Sequence, residues 1–306
     1  MRVEANAPLS RYTRFGIGGP ASLLVEALAP ETIAAARQAV ADVGVPWVVL
    51  GEGSNVIAAD AGYDGVVLRY GASRISRTSD TLTADAGAPL QRLVDFSISA
   101  GLAGIHTMTG IPGWVGAAVY GNAGAYGRSI SESVERVRFF DGGDVRSFDN
   151  ADCGFDYRES VFKRHKEWTI LDAVLRLTPG KAVDLAAQAA SIRRIRDEKY
   201  PPTMRCAGSI FKNCLFARLP QSVADRVPPE AVREGKVPSA WFLERVGAKG
   251  HRVGGIQVAP YHANLIYNDH QGTAADLRRV IAELKRRVVD EFGFELEEEV
   301  QYVGFD

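Results

Sequence analysis

The chain has 306 residues, of which 46% are hydrophobic and 24% charged, and its net charge is −1. This is ordinary globular composition with material for two or three domains, and the near-zero charge argues against nucleic acid or an anionic membrane surface as a partner. Three cysteines and five histidines without metal-like spacing argue against a disulfide framework and predict no bound metal.

The amino-terminal residues contain no apolar segment of the kind found in secretory signals. The apolar run V-P-W-V-V-L from Val45 has only the length of a strand. We therefore expect a cytoplasmic protein without a membrane partner, and a monomer.

Helical periodicity in the first third predicts a helix from Pro30 to about Gly44, with Glu31 in its first turn. It leads into a strand, W-V-V-L, and a glycine turn, G-E-G-S-N. Two further β-branched runs, G-V-V-L-R-Y and T-L-T-A-D-A-G, predict strands, and A-P-L-Q-R-L-V-D-F-S-I-S-A-G-L predicts a second amphipathic helix.

In the middle of the chain, a hairpin is predicted around Asp141-Gly142-Gly143, followed by a strand, W-T-I-L-D-A-V-L-R-L-T, and a helix from about Val183 to Lys199. Y-P-P-T, from Tyr200 to Thr203, resists both helix and central strand and predicts a domain boundary.

The last third predicts a short helix, S-A-W-F-L-E-R-V, a strand, A-N-L-I-Y-N, and a long helix from Thr273 to Phe292. Because strands and helices do not alternate strictly, the pattern favours an α+β fold over a doubly wound parallel sheet.

Three segments of the first 130 residues are rich in glycine. They are R-F-G-I-G-G-P from Arg14, G-E-G-S-N from Gly51, and the uncharged run from Gly110 to Gly127, in which six of eighteen residues are glycine. Glycine in an element interior is unfavourable unless bare backbone is needed, and backbone N–H groups in tight turns bind phosphates. A lone G-E-G-S-N is equally consistent with an ordinary turn, but the three segments together predict one extended phosphorylated ligand.

Six motifs, in this order, make the chain resemble the UDP-N-acetylenolpyruvoylglucosamine reductase (MurB) family: G-E-G-S-N-V, G-I-P-G-W-V-G-A-A-V-Y-G-N-A-G-A-Y-G, D-Y-R-E-S-V-F-K, A-G-S-I-F-K-N, H-A-N-L-I-Y-N and L-E-E-E-V-Q-Y-V-G. The resemblance spans nearly the whole chain. The short interval between Arg158 and Ser209 resembles the shorter, second type of the family, which lacks an inserted tyrosine-bearing loop.

The resemblance implies an α+β fold with a two-part FAD-binding module of the vanillyl-alcohol-oxidase (PCMH) type and a carboxyl-terminal substrate-binding domain. We predict FAD-binding subdomains at residues 1–72 and 73–200, and a substrate-binding domain at 201–306. It implies noncovalent FAD held by main-chain groups of the glycine segments; the predicted cofactor residues are Gly51, Glu52, Gly53, Ser54, Asn55, Gly110, Ile111, Pro112, Gly113, Gly116, Ala117, Gly121, Asn122, Gly124, Ala125, Tyr126 and Gly127.

The resemblance also implies three catalytic residues. Arg158 would bind the substrate carboxylate, Ser209 would donate the proton, and Glu299 would act with Arg158 to stabilise the enolate. A carboxylate repels an enolate, so Glu299 should be protonated or hydrogen-bonded when it acts.

The alternation of L-E-E-E-V-Q-Y-V puts Glu299 with Glu297 and Gln301 on one strand face, and Glu298 with Val300 and Tyr302 on the other. The predicted ligands of the uridine diphosphate are Lys212, Asn213, His262 and Asn264. Ordinary loop polarity would explain these four residues equally well.

The resemblance implies a flavoenzyme of peptidoglycan precursor synthesis. It would use NADPH to reduce UDP-N-acetylglucosamine enolpyruvate to UDP-N-acetylmuramate. Two alternatives stay open from the residues: an oxidase on the same flavin scaffold, and a flavin- or nucleotide-binding module without turnover.

Overall fold

The computed structural model describes residues 1–305, which divide into two compact units. The first unit comprises Met1–Ala7, Ala21–Gly53 and Asp64–Pro201, and the second comprises Pro8–Pro20, Ser54–Tyr63 and residues 202–305. Two short excursions from the amino-terminal region therefore belong with the last hundred residues. The predicted division into residues 1–72, 73–200 and 201–306 stays a prediction.

The first unit contains two sheets and most of the helices. Its helices are α1 (Pro30–Val43), α2 (Leu90–Ser99), α3 (Val115–Tyr120), α4 (Val161–Arg164) and α5 (Ala182–Lys199). Its strands are β1 (Arg2–Pro8), β2 (Pro20–Ala27), β3 (Trp47–Val49), β5 (Tyr63–Tyr70), β6 (Ile75–Thr78), β7 (Thr81–Asp85), β8 (Leu102–Ala103), β9 (Gly124–Ala125), β10 (Arg128–Ser129), β11 (Val134–Phe140), β12 (Val145–Asp149), β13 (Thr169–Arg176) and β14 (Thr178–Pro179).

The larger sheet of this unit has the strand order β12-β11-β13-β7-β6 and is antiparallel. The other has the order β1-β2-β5-β3, with β3 parallel to β5. β11 and β12 form the predicted hairpin, and the Asp141 side chain accepts hydrogen bonds from the N–H groups of Gly143 and Asp144 in its turn, both at 2.8 Å. The predicted strands and helices of this region are confirmed.

A single buried cluster forms the core of the first unit, and an aromatic group lies at one end of it. The Phe139 ring lies 4.8 Å from Phe148, 5.2 Å from Phe162 and 4.7 Å from Trp168, measured between centroids. Phe139 and Phe162 are fully buried. Because β11, α4 and the segment before β13 all contribute rings, this packing fixes the loop that contains Arg158.

The second unit has a four-stranded antiparallel sheet covered by a long helix. Its strands are β4 (Val56–Ala58), β15 (Arg205–Ser209), β16 (Cys214–Leu215), β17 (Lys236–Val237), β18 (Arg252–Val253), β19 (Ile256–Val258), β20 (Leu265–Asn268) and β21 (Gln301–Val303), and its helices are α6 (Gln221–Ala224), α7 (Ser239–Arg245) and α8 (Ala274–Phe292). The sheet order is β15-β20-β19-β18, and β4 pairs with β21 in parallel.

Helix α8 shows why its sequence is helical. Thr273 caps its first turn in a capping box with Asp276, and Gly293 ends it in the left-handed conformation, with φ of 74°. Its buried residues recur at intervals of three and four along one face, and that face packs on β18 and β19. The predicted helix is confirmed, with Thr273 as its cap.

The structure contains one helix that the sequence did not predict, and it shortens one predicted strand. The glycine-rich run from Gly110 contains the helix α3, because Val115 and Val119 are buried on the first unit's core and outweigh the low helix propensity of glycine. The predicted strand L-E-E-E-V-Q-Y-V is continuous only at Gln301–Val303. No helix within residues 1–305 has both the length and the apolarity needed to cross a bilayer.

Candidate active site

In the first unit, the glycine turn after β3 lies beside the long glycine-rich segment. Buried Arg69 connects them: its Nε donates to the Gly51 carbonyl at 3.2 Å, and its guanidinium lies 4.6 Å from the centroid of the Trp114 ring. Its Nη1 is 3.6 Å from the Glu26 carboxylate. Two of the predicted cofactor segments are thus brought together by a residue that the sequence did not single out.

The glycines of these segments fall into two groups. A Cβ added to Gly116 would lie 2.8 Å from the Cβ of Ala86, and one added to Gly124 would lie 2.5 Å from the Arg128 carbonyl. Protein packing alone therefore requires glycine at these two positions.

Gly51 and Gly121 differ. The nearest protein atom to an added Cβ lies at 3.6 Å for Gly51 and 3.5 Å for Gly121, and neither residue has a positive φ. Neither crowding by the protein nor backbone conformation explains these glycines. Bare backbone here fits the close approach of a dinucleotide such as FAD.

Arg158 lies in a tight turn of the first unit. The Asp156 and Glu159 backbones exchange two hydrogen bonds of 3.1 Å, and Arg158, the third residue of the turn, has φ of 59°. Turns with positive φ at this position favour glycine, so arginine here is held in a strained conformation. Its Nη2 donates to the Gly124 carbonyl at 3.0 Å. The arginine that is predicted to bind the substrate carboxylate therefore contacts a predicted cofactor segment.

Neighbouring side chains stabilise this turn. Asn122, which also has a positive φ, donates from Nδ2 to the Asp156 carbonyl at 2.9 Å. Lys163 donates from Nζ to the Arg158 carbonyl at 2.8 Å and to Glu159 at 2.9 Å. Tyr126, half exposed, is a third non-glycine residue with positive φ in this region. Strain of this kind persists only where surrounding bonds fix the backbone, and it is concentrated at functional sites.

Burial changes the chemistry of one group near the turn. Desolvation, and then the charge of Glu159, raise the pKa of Tyr120 to about 12. The Tyr120 carbonyl accepts a hydrogen bond of 2.7 Å from the buried Ser160 hydroxyl, which also caps α4. The Tyr120 phenol is therefore neutral at neutral pH.

In the second unit, Ser209 ends β15 beside an irregularity of the sheet. Ser209 pairs with Leu265 of β20, but the register shifts between Cys206 and Ser209, and Gly208 in between has φ of 78°. A bulge of this kind changes the direction of the following side chain. The local signal for it was the glycine directly before the serine.

Glu299 lies on a segment that runs antiparallel to the residues after Ser209. The Glu299 N–H donates to the Ile210 carbonyl at 2.7 Å, and the Lys212 N–H donates to the Glu297 carbonyl at 2.9 Å. The structure thereby brings together the predicted proton donor and the predicted acid, which are ninety residues apart in the sequence.

The predicted alternation of Glu298 and Glu299 agrees with the contacts of Glu298. Its carboxylate bonds Nζ of Lys285 at 2.9 Å and accepts from the Tyr302 hydroxyl. Burial and this bond to Glu298 raise the pKa of Tyr302. Glu298 is therefore used in anchoring the segment to α8.

The four predicted substrate residues all belong to the second unit, and each has a hydrogen-bond or ion-pair partner within the protein. Buried Asn264 accepts from the Phe211 N–H at 2.9 Å and donates to the Phe211 carbonyl at 2.8 Å. Buried Lys212 forms an ion pair with Glu297. Asn213 accepts from the Ser239 N–H at 3.3 Å, and His262 Nδ1 accepts from the Asn264 N–H at 3.2 Å. Their contact with substrate stays a prediction.

Ser54 and Asn55, the last two residues of the glycine turn, belong to the second unit. The Asn55 Nδ2 donates to the Glu299 carbonyl at 2.9 Å, and the Gln301 N–H donates to the Asn55 carbonyl at 2.9 Å. A predicted cofactor residue therefore contacts the backbone of the predicted acid. No short-range pattern in the sequence indicates this contact.

Two family models match this chain, one over its carboxyl-terminal third and one over most of its first half. Residues 200–303 match the model described as UDP-N-acetylenolpyruvoylglucosamine reductase, C-terminal domain, and residues 21–145 match the FAD binding domain model. A UDP-N-acetylenolpyruvoylglucosamine reductase of Solibacter usitatus is 58% identical over 99% of this chain and 97% of its own length. The chain belongs to the UDP-N-acetylenolpyruvoylglucosamine reductase family.

Two further members extend the similarity. The reductase of Rubrobacter xylanophilus is 37% identical over 97% of this chain and 94% of its own length. The crystal structure of the Thermus caldophilus reductase has a TM-score of 0.77 and 30% identity, covering 99% of both chains. The predicted α+β fold with an FAD-binding module is confirmed.

Proposed function

We propose that this protein is an FAD-dependent reductase that uses NADPH to convert UDP-N-acetylglucosamine enolpyruvate into UDP-N-acetylmuramate, in the synthesis of peptidoglycan precursors. The observation that carries the proposal is the hydrogen bond between Glu299 N–H and the Ile210 carbonyl at 2.7 Å. It places an acid on the segment next to Ser209 in a chain of this family.

FAD, when bound, would supply the chemistry for hydride transfer from NADPH to the enolpyruvyl double bond. The bare backbone at Gly51 and Gly121 fits such a ligand, and we assign the cofactor to the glycine turn and the segment from Gly110 to Gly127. Arg69 holds the turn by its bond to the Gly51 carbonyl.

Arg158 is assigned to the substrate carboxylate. A planar guanidinium binds a carboxylate with two parallel hydrogen bonds, and its charge favours electron density moving towards the carboxylate. The strained turn fixes the Arg158 backbone, so less conformational freedom is lost when the substrate binds.

Ser209 is assigned the proton transfer. Hydride addition at the terminal carbon of the enolpyruvyl group leaves an enolate. The neighbouring carbon, which bears the carboxylate, is then basic enough to take the proton of the Ser209 hydroxyl. Glu299, protonated or hydrogen-bonded, stabilises the negative charge together with Arg158. Lys212, Asn213, His262 and Asn264 are assigned to the region of the uridine diphosphate, in the proposed carboxyl-terminal substrate domain.

Anaerobic stopped-flow absorbance tests the reaction. Reduction of the yellow holoenzyme with NADPH should bleach the flavin, and addition of UDP-N-acetylglucosamine enolpyruvate should restore the colour and yield UDP-N-acetylmuramate. Failure of the colour to return would contradict the proposal. Fast reoxidation by air without this substrate would instead favour an oxidase.

We propose that the protein acts in the cytoplasm, as a monomer. Light scattering after size-exclusion chromatography tests the second point, since a mass of twice the chain's 33.1 kDa would contradict it.

A further inference from the structure

The Glu299 peptide is held from two sides by unlike partners. Its N–H donates to the Ile210 carbonyl at 2.7 Å, next to Ser209 in the chain. Its carbonyl accepts from the Asn55 side chain at 2.9 Å. One partner is therefore a strand of the main chain, and the other is a side chain of the glycine turn.

Asn55 is itself fixed on the same segment. The Gln301 N–H donates to the Asn55 carbonyl at 2.9 Å, and the pairing continues as the parallel ladder of β4 with β21, in which Val56 pairs with Gln301. Asn55 thus contacts the segment at two points, one residue on each side of Val300. A change in the backbone at Asn55 moves the Glu299 peptide with it.

The position of a carboxyl group depends on its backbone. Catalytic groups must lie close to the productive geometry, and a displacement of about 1 Å is enough to lower a rate by about a hundredfold. Two other carboxylates of the segment have their own partners. Glu297 pairs with Lys212, and Glu298, on the strand face opposite Glu299, is anchored through Lys285 at 2.9 Å. The carbonyl of Glu299 accepts its shorter side-chain hydrogen bond from Asn55, at 2.9 Å, and a longer one from Gln301 Nε2, at 3.5 Å.

We propose that Asn55 is a positioning residue for Glu299, and that its side-chain amide sets the geometry of the acid. The inference rests on the proposed function, because it concerns the half-reaction with the enolpyruvyl substrate. An asparagine amide has two N–H donors and an acceptor oxygen, so one hydrogen serves Glu299 and the remaining groups can serve the cofactor. Aspartate of the same size has no such donor and would face the Glu299 carbonyl with negative charge.

A double-mutant cycle on the holoenzyme tests the proposal. Asn55→Asp, Glu299→Gln and the double variant are reduced with NADPH and reoxidised with UDP-N-acetylglucosamine enolpyruvate in anaerobic stopped flow. Asn55→Asp should slow reoxidation by about tenfold to a hundredfold. In the Glu299→Gln background it should slow reoxidation further by no more than about twofold, since the group on which Asn55 acts has already been lost.

The opposite result in the cycle is additivity. If Asn55→Asp slows reoxidation by the same factor with and without the Glu299 carboxyl group, the proposal is overturned. The rate of flavin reduction by NADPH and the dissociation constant of FAD are measured alongside. An equal loss in both half-reactions with weaker FAD binding would make Asn55 a cofactor ligand only, and would also overturn it.

Two further variants control for folding. Asn55→Ser removes the amide with a smaller side chain, and loss of FAD from both Asn55 variants counts against the proposal. Asn150→Asp removes another amide that donates to main-chain carbonyls, those of Ser131 at 2.8 Å and Val134 at 2.6 Å, and should leave both half-reactions unchanged. If the wild type is not reoxidised by the enolpyruvyl compound, the proposed function fails first, which is distinguishable from additivity in an active enzyme.

Discussion

The two units hold their proposed catalytic residues in different ways. Arg158 lies in a tight turn and has φ of 59°. Side chains of Asn122 and Lys163 fix this turn by hydrogen bonds to its backbone carbonyls. Ser209 and Glu299 lie on adjacent segments fixed by main-chain hydrogen bonds. The strained turn fixes the backbone from which the Arg158 side chain extends, whereas main-chain hydrogen bonds keep the Ser209 and Glu299 segments at a defined spacing. The first arrangement should tolerate backbone changes poorly, and the second should depend on buried amides.

The largest effect is expected from Ser209→Ala. Removing the hydroxyl removes the proposed proton donor, and general acid catalysis typically contributes about 10²–10⁴-fold. Reoxidation of the reduced flavin by the enolpyruvyl substrate should slow by that factor, while reduction by NADPH continues. Anaerobic stopped flow measures both rates. A normal rate of reoxidation would show that the proton comes from another group.

Arg158→Lys should have the next largest effect. Lysine keeps the charge but loses the planar pair of donors, and a hydrogen bond to a charged group contributes about 1.5–3 kcal/mol. We expect kcat/KM for the enolpyruvyl substrate to fall by about tenfold to a hundredfold, as measured in steady-state assays.

Arg146→Lys on the exposed hairpin, where Arg146 pairs with Asp141, is the matched control and should change kcat/KM little. Equal effects of the two substitutions would argue against carboxylate binding by Arg158.

Asn264→Ala tests the dependence of the second unit on buried amides. The substitution leaves both the N–H and the carbonyl of buried Phe211 without their present partner. Each such group costs about 1–3 kcal/mol, so the free energy of unfolding should fall by about 2–6 kcal/mol in urea denaturation.

The exposed Asn150→Ala should cost less, about 1 kcal/mol, because water can replace the lost bonds. A larger loss at Asn150 than at Asn264 would reverse the contrast drawn between the units.

The smallest effect is expected for two thiols, Cys153 in the first unit and Cys214 in the second. Burial, followed by the charges of Asp152 and Asp149, raises the pKa of Cys153 to about 12. Burial raises that of Cys214 to about 11, opposed by its contact with Ser239. In native protein, iodoacetamide should modify Cys214 before the fully buried Cys153, as followed by mass spectrometry.

The same shifts give stability a pH dependence. A thiol whose pKa is raised in the folded state stabilises it fully below the unfolded pKa of about 9, and this contribution is lost as the pH rises towards 11. The urea midpoint should therefore fall between pH 9 and 11, and Cys214→Ala should reduce that fall. An unchanged slope in the variant would contradict the burial of this thiol.

The sequence predicted most elements because their signals are local. Helix α8 has a cap, a periodic apolar face and a terminal glycine, all within twenty-one residues. The hairpin at Asp141 has its turn residues in the turn itself. The helix α3 was missed because its glycines suggest loop, whereas Val115 and Val119 are stabilised by a core formed from distant strands.

The candidate site was predictable in residues but not in contacts. Motif resemblance supplied Arg158, Ser209 and Glu299, yet nothing near Asn55 indicates that its amide bonds a carbonyl 244 residues away. Arg69 lies in a run of β-branched residues and looks like an ordinary strand residue. Its hydrogen bond to the Gly51 carbonyl could therefore not be predicted from the sequence either. Long-range side-chain to main-chain bonds have no periodic signal in the sequence.

The parallel pair of β4 with β21 has a consequence for biosynthesis. Val56 leaves the ribosome long before its partner, Gln301, has been made. Until then, the early excursions of the second unit have no ladder to join, although α1 and the strands around it can already pack. Nascent chains of this protein should therefore expose the edge of β4 to chaperones during most of translation.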